Sequence, residues 1–125
     1  MKDGLKEINE LSGVWGSFIS NNRGEVLLNV SPPTLNKAVL ENISRQALDL
    51  FVSAGDQIKD LRELVFHYSQ KKLFVLDLEK AILGVVCTPS VDISLLRMTA
   101  NVVITGWEAD NKVQTILQKN YLERI

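Results

Sequence analysis

The stretch from Leu61 to Thr88 is dominated by strand-forming hydrophobic residues, broken into three runs by two short polar segments. The polar segments are Gln70-Lys71 and Glu79-Lys80, which predict a three-stranded antiparallel meander. With two-residue turns, one face carries Leu64, Phe66, Tyr68, Leu73, Val75, Ile82, Gly84 and Val86, and the other carries Val65, His67, Phe74, Leu76, Leu78, Leu83, Val85 and Cys87. Because both faces are apolar, we expect helices or a partner to cover both sides of the sheet.

The residues before the meander predict a helix, a hairpin and a second helix. Leu5, Ile8 and Leu11 recur at helical spacing within residues 2–12, with Asp3 as a first-turn cap and Gly13 ending the helix. Residues 14–20 and 25–30 are strand-like and flank the turn at residues 21–24, where Gly24 tolerates positive φ.

The second helix is predicted from Leu35 to Ala54, after a proline pair and with Thr34 as its N-cap. Its sheet-facing residues are expected to be Val39, Leu40, Ile43, Ala47, Leu50, Phe51 and Ala54. Leu48 and Val52 instead fall among Glu41, Arg45 and Asp49, on the face expected to meet water. They are either scattered exposed residues or a small interface patch.

The residues after the meander predict a final helix from about residue 91 to 105, capped by Ser90 or Asp92 and weakened at Gly106. Helical spacing then continues through Trp107, Val113, Ile116, Leu117, Tyr121 and Leu122. This tail is either an extension of the final helix or a separate helix that packs back. The predicted order is α-β-β-α-β-β-β-α plus the tail, which is an α+β fold.

Composition excludes several classes of function. The chain has 125 residues, 46% of them hydrophobic, and a net charge of −1 without any basic block, which is unlike a nucleic-acid-binding protein. No run of residues approaches a membrane span, and the charged N-terminal segment is unlike a signal peptide, so we expect a cytoplasmic protein with no membrane insertion. The single cysteine, Cys87, is expected to be a buried, inert thiol.

The sequence offers no set of residues suited to catalysis. His67 is the only histidine and lacks a nucleophile motif, which favours a place at an edge or subunit contact over a general base. One histidine and one cysteine cannot form a zinc site without several carboxylates. Neither common glycine-rich phosphate-binding motif occurs, and Gly84 is explained by a helix lying close to the sheet. We therefore expect neither an enzyme nor a cofactor or metal site.

The order of these segments resembles the Roadblock/LC7 family, which includes Roadblock-type dynein light chains and MglB-like regulators of small Ras-like GTPases. The resemblance rests on residues 13–27 (GVWGSFISNNRGEVL), the helix after Pro33, residues 63–89 (ELVFHYSQKKLFVLDLEKAILGVVCTP) and the entry to the last helix at residues 90–93. It covers residues 3–106. Residues 1–106 are therefore interpreted as the Roadblock/LC7 domain and residues 107–125 as a helical extension.

The resemblance implies a five-stranded antiparallel sheet with the first and last helices on one face and the middle helix on the other, the profilin-like arrangement. It also implies a homodimer formed through the third strand, residues 62–69, and the middle helix, which joins two sheets into one of ten strands. An open edge carrying hydrophobic residues would otherwise invite aggregation. The predicted dimer interface comprises Leu48, Phe51, Leu64, Val65, Phe66, His67 and Tyr68.

The function implied by the resemblance is a non-enzymatic dimeric platform that binds a small Ras-like GTPase and modulates its nucleotide cycle. The predicted GTPase-binding residues are Glu41, Arg45, Leu48 and Val52, with an arginine-finger role for Arg45 disfavoured. Two alternatives remain open. One is a structural adaptor that binds partners regardless of nucleotide state, and the other is a small-ligand sensor, which would need an internal pocket.

Overall fold

The fold is an α+β arrangement in which four helices cover a five-stranded antiparallel sheet. The structure is a computed structural model that describes residues 1–55, 57–68 and 70–121. Its elements are α1 (Lys2–Asn9), β1 (Val14–Asn21), β2 (Val26–Val30), α2 (Lys37–Gly55), β3 (Glu63–Tyr68), β4 (Lys71–Asp77), β5 (Ala81–Cys87), α3 (Ile93–Glu108) and α4 (Asn111–Lys119). No helix within the described ranges combines the length and the hydrophobicity needed to cross a membrane.

The strands are ordered β2-β1-β5-β4-β3, and every neighbouring pair is antiparallel. The two hairpins β1–β2 and β4–β5 therefore meet where β5 pairs with β1 at the centre of the sheet. Strands β2 and β3 form the two edges. The structure confirms the five-stranded sheet, and strand β3 lies at an edge as expected.

Both faces of the sheet are covered by helices, as the sequence predicts. On one face, α1, α3 and α4 pack over a core that includes Phe74, Leu83 and Val85. On the other face, α2 packs over Leu73, Val75, Ile82 and Val86 in two smaller clusters. Burial of these side chains, at ~25 cal/mol per Å² of apolar surface, is the main favourable contribution to folding.

The first turn of the meander differs from the predicted one, because Lys71 belongs to β4. Tyr68 pairs with Lys71, so the β3–β4 register is shifted by two residues relative to a turn at Gln70-Lys71. A shift of two residues returns each side chain to its original face, so the predicted faces survive. Lys71 also places its Nζ 4.2 Å from the ring centroid of Trp15. Ser69, the last residue of the predicted third strand, lies outside the described residues.

Several helix boundaries differ from the predicted ones. Helix α1 ends at Asn9 and has no side-chain cap, so neither Asp3 nor Gly13 delimits it. Helix α2 begins at Lys37, because Asn36, instead of Thr34, accepts a hydrogen bond from the Val39 N–H at 3.0 Å.

The final helix is longer than predicted, and the tail forms a separate helix. Asp92 caps α3 by accepting from the Leu95 N–H, and α3 continues through Gly106 to Glu108. Asp110 caps α4 in the same way, and Val113 and Leu117 bury against the main core. Leu122, the last residue of the predicted helical spacing, lies outside the described residues.

Helix α2 is rotated about its axis relative to the predicted orientation. Ser44 is fully buried and its hydroxyl is hydrogen bonded to that of Ser20 on β1. The rotation brings Leu48 partly under cover and leaves Leu50 43% exposed, whereas the sequence pattern predicts Leu48 in water and Leu50 on the sheet. This orientation gives the buried Ser44 hydroxyl a partner in Ser20, whose own hydroxyl also donates to the Asn21 carbonyl at 3.2 Å.

Gly84 accommodates a neighbouring side chain, not a helix. It pairs with Phe18 across the β1–β5 ladder, and the Phe18 ring fills the space that a Cβ at residue 84 would occupy. The predicted close approach of a helix is therefore wrong. A glycine is needed here because the Cζ and Cε1 atoms of the Phe18 ring would overlap with a Cβ at residue 84.

Candidate protein-binding surface

The outer edge of β3 presents backbone groups that no other described residue meets. The Asp77 N–H donates to the Arg62 carbonyl at 2.8 Å, and Arg62 stands opposite Asp77 in the β3–β4 register. Hydrogen-bonded pairs alternate with non-bonded pairs along an antiparallel ladder, so even-numbered β3 residues bond to β4. The N–H and C=O groups of Glu63, Val65 and His67 therefore point away from the sheet.

The opposite edge, β2, is protected at Val26 by a side chain. The Glu41 carboxylate accepts a hydrogen bond from the Val26 N–H at 2.9 Å. The Asn9 amide donates to the Val30 carbonyl at 2.8 Å, on the side of β2 that pairs with β1. Protecting one edge while leaving another open is typical of a sheet that pairs with a partner at the open edge. Glu41, a predicted partner-binding residue, already has a partner within the chain.

A partly covered apolar cluster lies beside the open edge. Its buried members are Ala47, Val75 and Ile82, and the side chains packed against them are only partly buried: Leu48, Phe51, Leu64 and Phe66. These four are all predicted interface residues, and the structure brings them together from α2 and β3. Large apolar side chains are usually covered more completely when the chain itself completes the core.

The remaining predicted edge residues lie on the other side of the sheet. Val65 is 42% exposed and His67 is exposed, and both side chains stand on the face that α1 and α3 cover elsewhere. Tyr68 ends β3, and its side chain lies outside the described part of the chain.

The outward side of α2 combines exposed apolar residues with a fixed arginine. Val52 is 60% exposed and Leu50 is 43% exposed. The Arg45 side chain packs over the β1–β2 turn, where its Cγ stands 2.6 Å from the position that a Cβ on Gly24 would take. Of the predicted partner-binding residues, Arg45 and Val52 are thus exposed, whereas Leu48 is half-buried. Sequence reasoning missed Leu50, because its helical position suggested the core.

An ion pair ties the start of β3 to α3. The Arg97 guanidinium donates from Nε and Nη2 to the two carboxylate oxygens of Glu63, at 2.7 and 2.8 Å. This hydrogen bonding and the charge of Glu63 raise the pKa of Arg97 above its usual value. The forked geometry fixes the orientation of both side chains. Sequence reasoning did not single out Arg97, because its partner is 34 residues away in the chain.

Two clefts lie near the β4–β5 turn. One of about 290 Å³ opens beside the end of α2 and includes Phe51, Val52 and Asp77 in its walls. Another of about 430 Å³ lies between this turn and the α3–α4 junction, with Trp107 and Leu117 among its walls. Both have charged rims, and the smaller one lies between the C-terminal half of α2 and the end of β4.

Cys87 and His67, for which the sequence predicts no catalytic role, lie on different strands, β5 and β3. Cys87 is buried, and burial raises the pKa of its thiol to about 12. His67 stands on β3 opposite Lys72. Within residues 1–55, 57–68 and 70–121, no three His, Cys, Asp or Glu side chains are grouped to hold a metal ion.

Comparison with known proteins identifies similar folds but no close sequence relative. No protein-family model and no curated protein sequence matches the chain. The Roadblock/LC7 domain from Streptomyces avermitilis has a TM-score of 0.74 at 14% identity, over 87% of this chain and 95% of that one. Gliding protein MglB from Thermus thermophilus has a TM-score of 0.68 at 16% identity, over 82% of this chain and 81% of that one.

A third similar structure is described as MglB with a tetrameric arrangement. It has a TM-score of 0.70 at 13% identity, over 95% of this chain and 88% of that one. At such identities the likeness concerns the fold alone. The chain has a Roadblock/LC7-like fold, which it shares with MglB structures.

Proposed function

We propose that this chain is a non-enzymatic homodimer that binds a small Ras-like GTPase and modulates its nucleotide cycle. The observation that carries the proposal is the open β3 edge beside the partly covered cluster of Leu48, Phe51, Leu64 and Phe66. Pairing of two such edges gives partners to the free backbone groups and covers the apolar side chains in one step.

The outward N–H and C=O groups of Glu63, Val65 and His67 suggest a symmetric register for pairing β3 with β3 of a second copy. A twofold axis at Val65 places Val65 opposite its own copy and Glu63 opposite the partner's His67. All three outward residues are then used, and the Glu63 carboxylate does not face another carboxylate. The five strands of each copy join into one continuous sheet, with both α2 helices on the same face.

The paired α2 helices supply the proposed GTPase-binding surface. Val52 and Leu50 provide exposed apolar contact, and Arg45 stands near the β1–β2 turn. Because the Arg45 stem packs over Gly24, we assign Arg45 to binding and not to insertion into a GTPase active site. Such a platform acts by holding the switch loops of the GTPase in one arrangement.

The fold supports this assignment. The sequence resembles a family that contains MglB-like regulators of small Ras-like GTPases, and the fold is shared with MglB structures from the comparison.

The test is a pull-down with candidate small GTPases from the same organism, loaded with GDP or a GTP analogue, followed by a hydrolysis assay. We expect binding that depends on the nucleotide and a changed hydrolysis rate. Equal binding in both nucleotide states would favour the adaptor function instead. Absence of binding to every GTPase would refute the proposal.

The surface is tested with Val52→Asp, because Val52 is 60% exposed and its replacement leaves the core intact. We expect at least tenfold weaker GTPase binding by a protein that remains dimeric. Ile116→Asp is the matched control, since Ile116 is an exposed apolar residue on α4, 44% exposed. Equal GTPase binding by the two variants would show that α2 is not part of the binding site.

A further inference from the structure

The outward side of α3 carries a row of exposed apolar residues that the dimer proposed above does not use. Leu95 is 46%, Met98 66% and Val102 67% exposed. Residues three and four apart lie on the same side of a helix, so these three form one stripe. The stripe is on the side of α3 opposite Leu96, Ala100 and Val103, which are buried against the sheet.

The exposed positions of α3 are almost free of charge. They are Ser94, Leu95, Met98, Asn101, Val102, Thr105, Gly106 and Glu108, and only the last carries a charge. Charged residues make up 23% of the chain, and solvent-facing helix sides normally contain many of them. A partner for this face must itself be uncharged, because any charge it buried here would lack a counter-charge.

Gly106 continues the stripe one turn beyond Val102, and no contact with another described residue requires a glycine there. A Cβ at this position would meet no atom within 4 Å, and the glycine does not adopt positive φ. Glycine within a helix is destabilising relative to alanine. A small residue in this place is explained if another helix approaches closely from outside.

We propose that α3 pairs with α3 of a second copy of the chain, antiparallel, about a twofold axis at Val102. An isologous contact places residue i of one copy against residue j of the other, and the reverse. In this register Val102 meets its own copy, and Met98 fits over Gly106 of the other copy. The large and small residues of the i, i+4 row are thereby matched, and no like charges meet.

The α3 contact is separate from the β3 edge and can form with it. Helix α3 lies on the sheet face opposite α2, and its exposed stripe points away from the sheet. One helix pair covers less than the roughly 800 Å² per partner of a standard interface, so we expect association only at high micromolar concentration. Chains already paired through β3 would thus assemble further into species larger than the dimer.

Cysteine cross-linking tests the register. Val102→Cys should form a disulfide-linked dimer under mild oxidation at least tenfold faster than Ile116→Cys, an exposed residue on α4. The native Cys87 is buried and should not contribute. Equal rates for the two variants would overturn the proposal.

A second pair of variants distinguishes this register from nonspecific association. Met98→Cys alone should cross-link slowly, because the two copies of residue 98 stand about 12 Å apart across the axis. Met98→Cys/Gly106→Cys should cross-link rapidly between chains, since residues 98 and 106 within one helix are too distant to bond. Rapid cross-linking by Met98→Cys alone would refute the register.

Light scattering over a concentration series tests the contact without cysteines. Met98→Glu/Val102→Glu should abolish the species larger than the dimer and leave β3-dependent dimers in place. A wild-type mass that stays at or below the dimer at high concentration would overturn the α3 pairing while leaving the proposed function intact. If the only assembled species are those that depend on α3, and no β3-dependent dimers are found, pairing through the β3 edge is contradicted instead.

Discussion

The Glu41 carboxylate accepts a hydrogen bond from the Val26 N–H at 2.9 Å, so a side chain of α2 closes the outer edge of β2. Glu41 and Val26 are far apart in sequence and meet only in the folded chain. The sheet is therefore covered at one margin by its own helix α2 and open at the other.

Glu41→Ala should destabilise the chain by about 1–2 kcal/mol, because the Val26 N–H loses its acceptor in a partly buried place. Urea unfolding followed by circular dichroism measures this change. Glu41→Gln keeps an amide oxygen as acceptor and is the control, with a smaller expected loss. Equal losses for the two variants would show that the charge, and not the acceptor, matters at this edge.

Val65→Pro should abolish dimer formation while the chain stays folded. The Val65 N–H points away from β4, so proline removes no ladder hydrogen bond and removes the central donor of the open edge. Phe66→Pro is the contrasting variant, because it breaks a bond to β4 and should unfold the meander. Light scattering and circular dichroism separate the two outcomes. A folded Val65→Pro dimer would exclude pairing through β3.

His67→Glu should weaken the dimer about three- to tenfold, because a carboxylate then stands opposite Glu63 of the second copy. His67→Lys places an opposite charge there and should bind at least as tightly as wild type. Sedimentation at low salt gives both dissociation constants. An identical effect of the two substitutions would show that residue 67 does not face Glu63 across the axis.

Gly84→Ala should cost about 1–3 kcal/mol, because the new Cβ overlaps the ring of Phe18 and the ring must move within a packed core. Thermal unfolding measures the loss. Phe18→Leu/Gly84→Ala provides a rescue control, since a smaller side chain frees the space over residue 84. If the double variant is no more stable than the sum of the single changes predicts, the two residues are not coupled.

Alkaline pH should destabilise the chain through Cys87. Burial raises its thiol pKa to about 12 in the folded chain, against an ordinary value of 9.0. The unfolded chain therefore loses the proton first, and the contribution of Cys87 to stability is lost as pH rises from about 9 towards 12. Cys87→Ala should remove this part of the pH dependence. A thiol reagent should label Cys87 in urea and barely in the folded chain at pH 8.

The faces of the sheet were predictable because side-chain direction along a strand repeats every two residues. The error of two residues in the β3–β4 register therefore left Leu73 and Phe74 on their correct faces. The rotation of α2 was not predictable in the same way. It depends on Ser44 meeting Ser20, and no local pattern relates residues 24 positions apart.

The candidate surface was predictable in part for similar reasons. Apolar residues at a strand edge are visible in sequence, and Leu64 and Phe66 do stand there. From the sequence alone, Glu41 is predicted to contact a partner protein. Its hydrogen bond to Val26 could not be predicted, because the two residues meet only in the folded chain. It also suggests a core position for Leu50, because the hydrophobic pattern gives the helix a different rotation from the one it adopts.

The buried hydroxyl pair of Ser20 and Ser44 has a consequence for what α2 shows to other molecules. Purely apolar contacts are non-directional and would let a helix roll by a few tens of degrees at small cost. Rolling α2 would move the buried Ser44 hydroxyl away from Ser20, and a buried hydroxyl without a partner is costly. A hydrogen bond between two buried hydroxyls thus favours the rotation of α2 that exposes Val52 and Arg45, and not Leu48, to a binding partner.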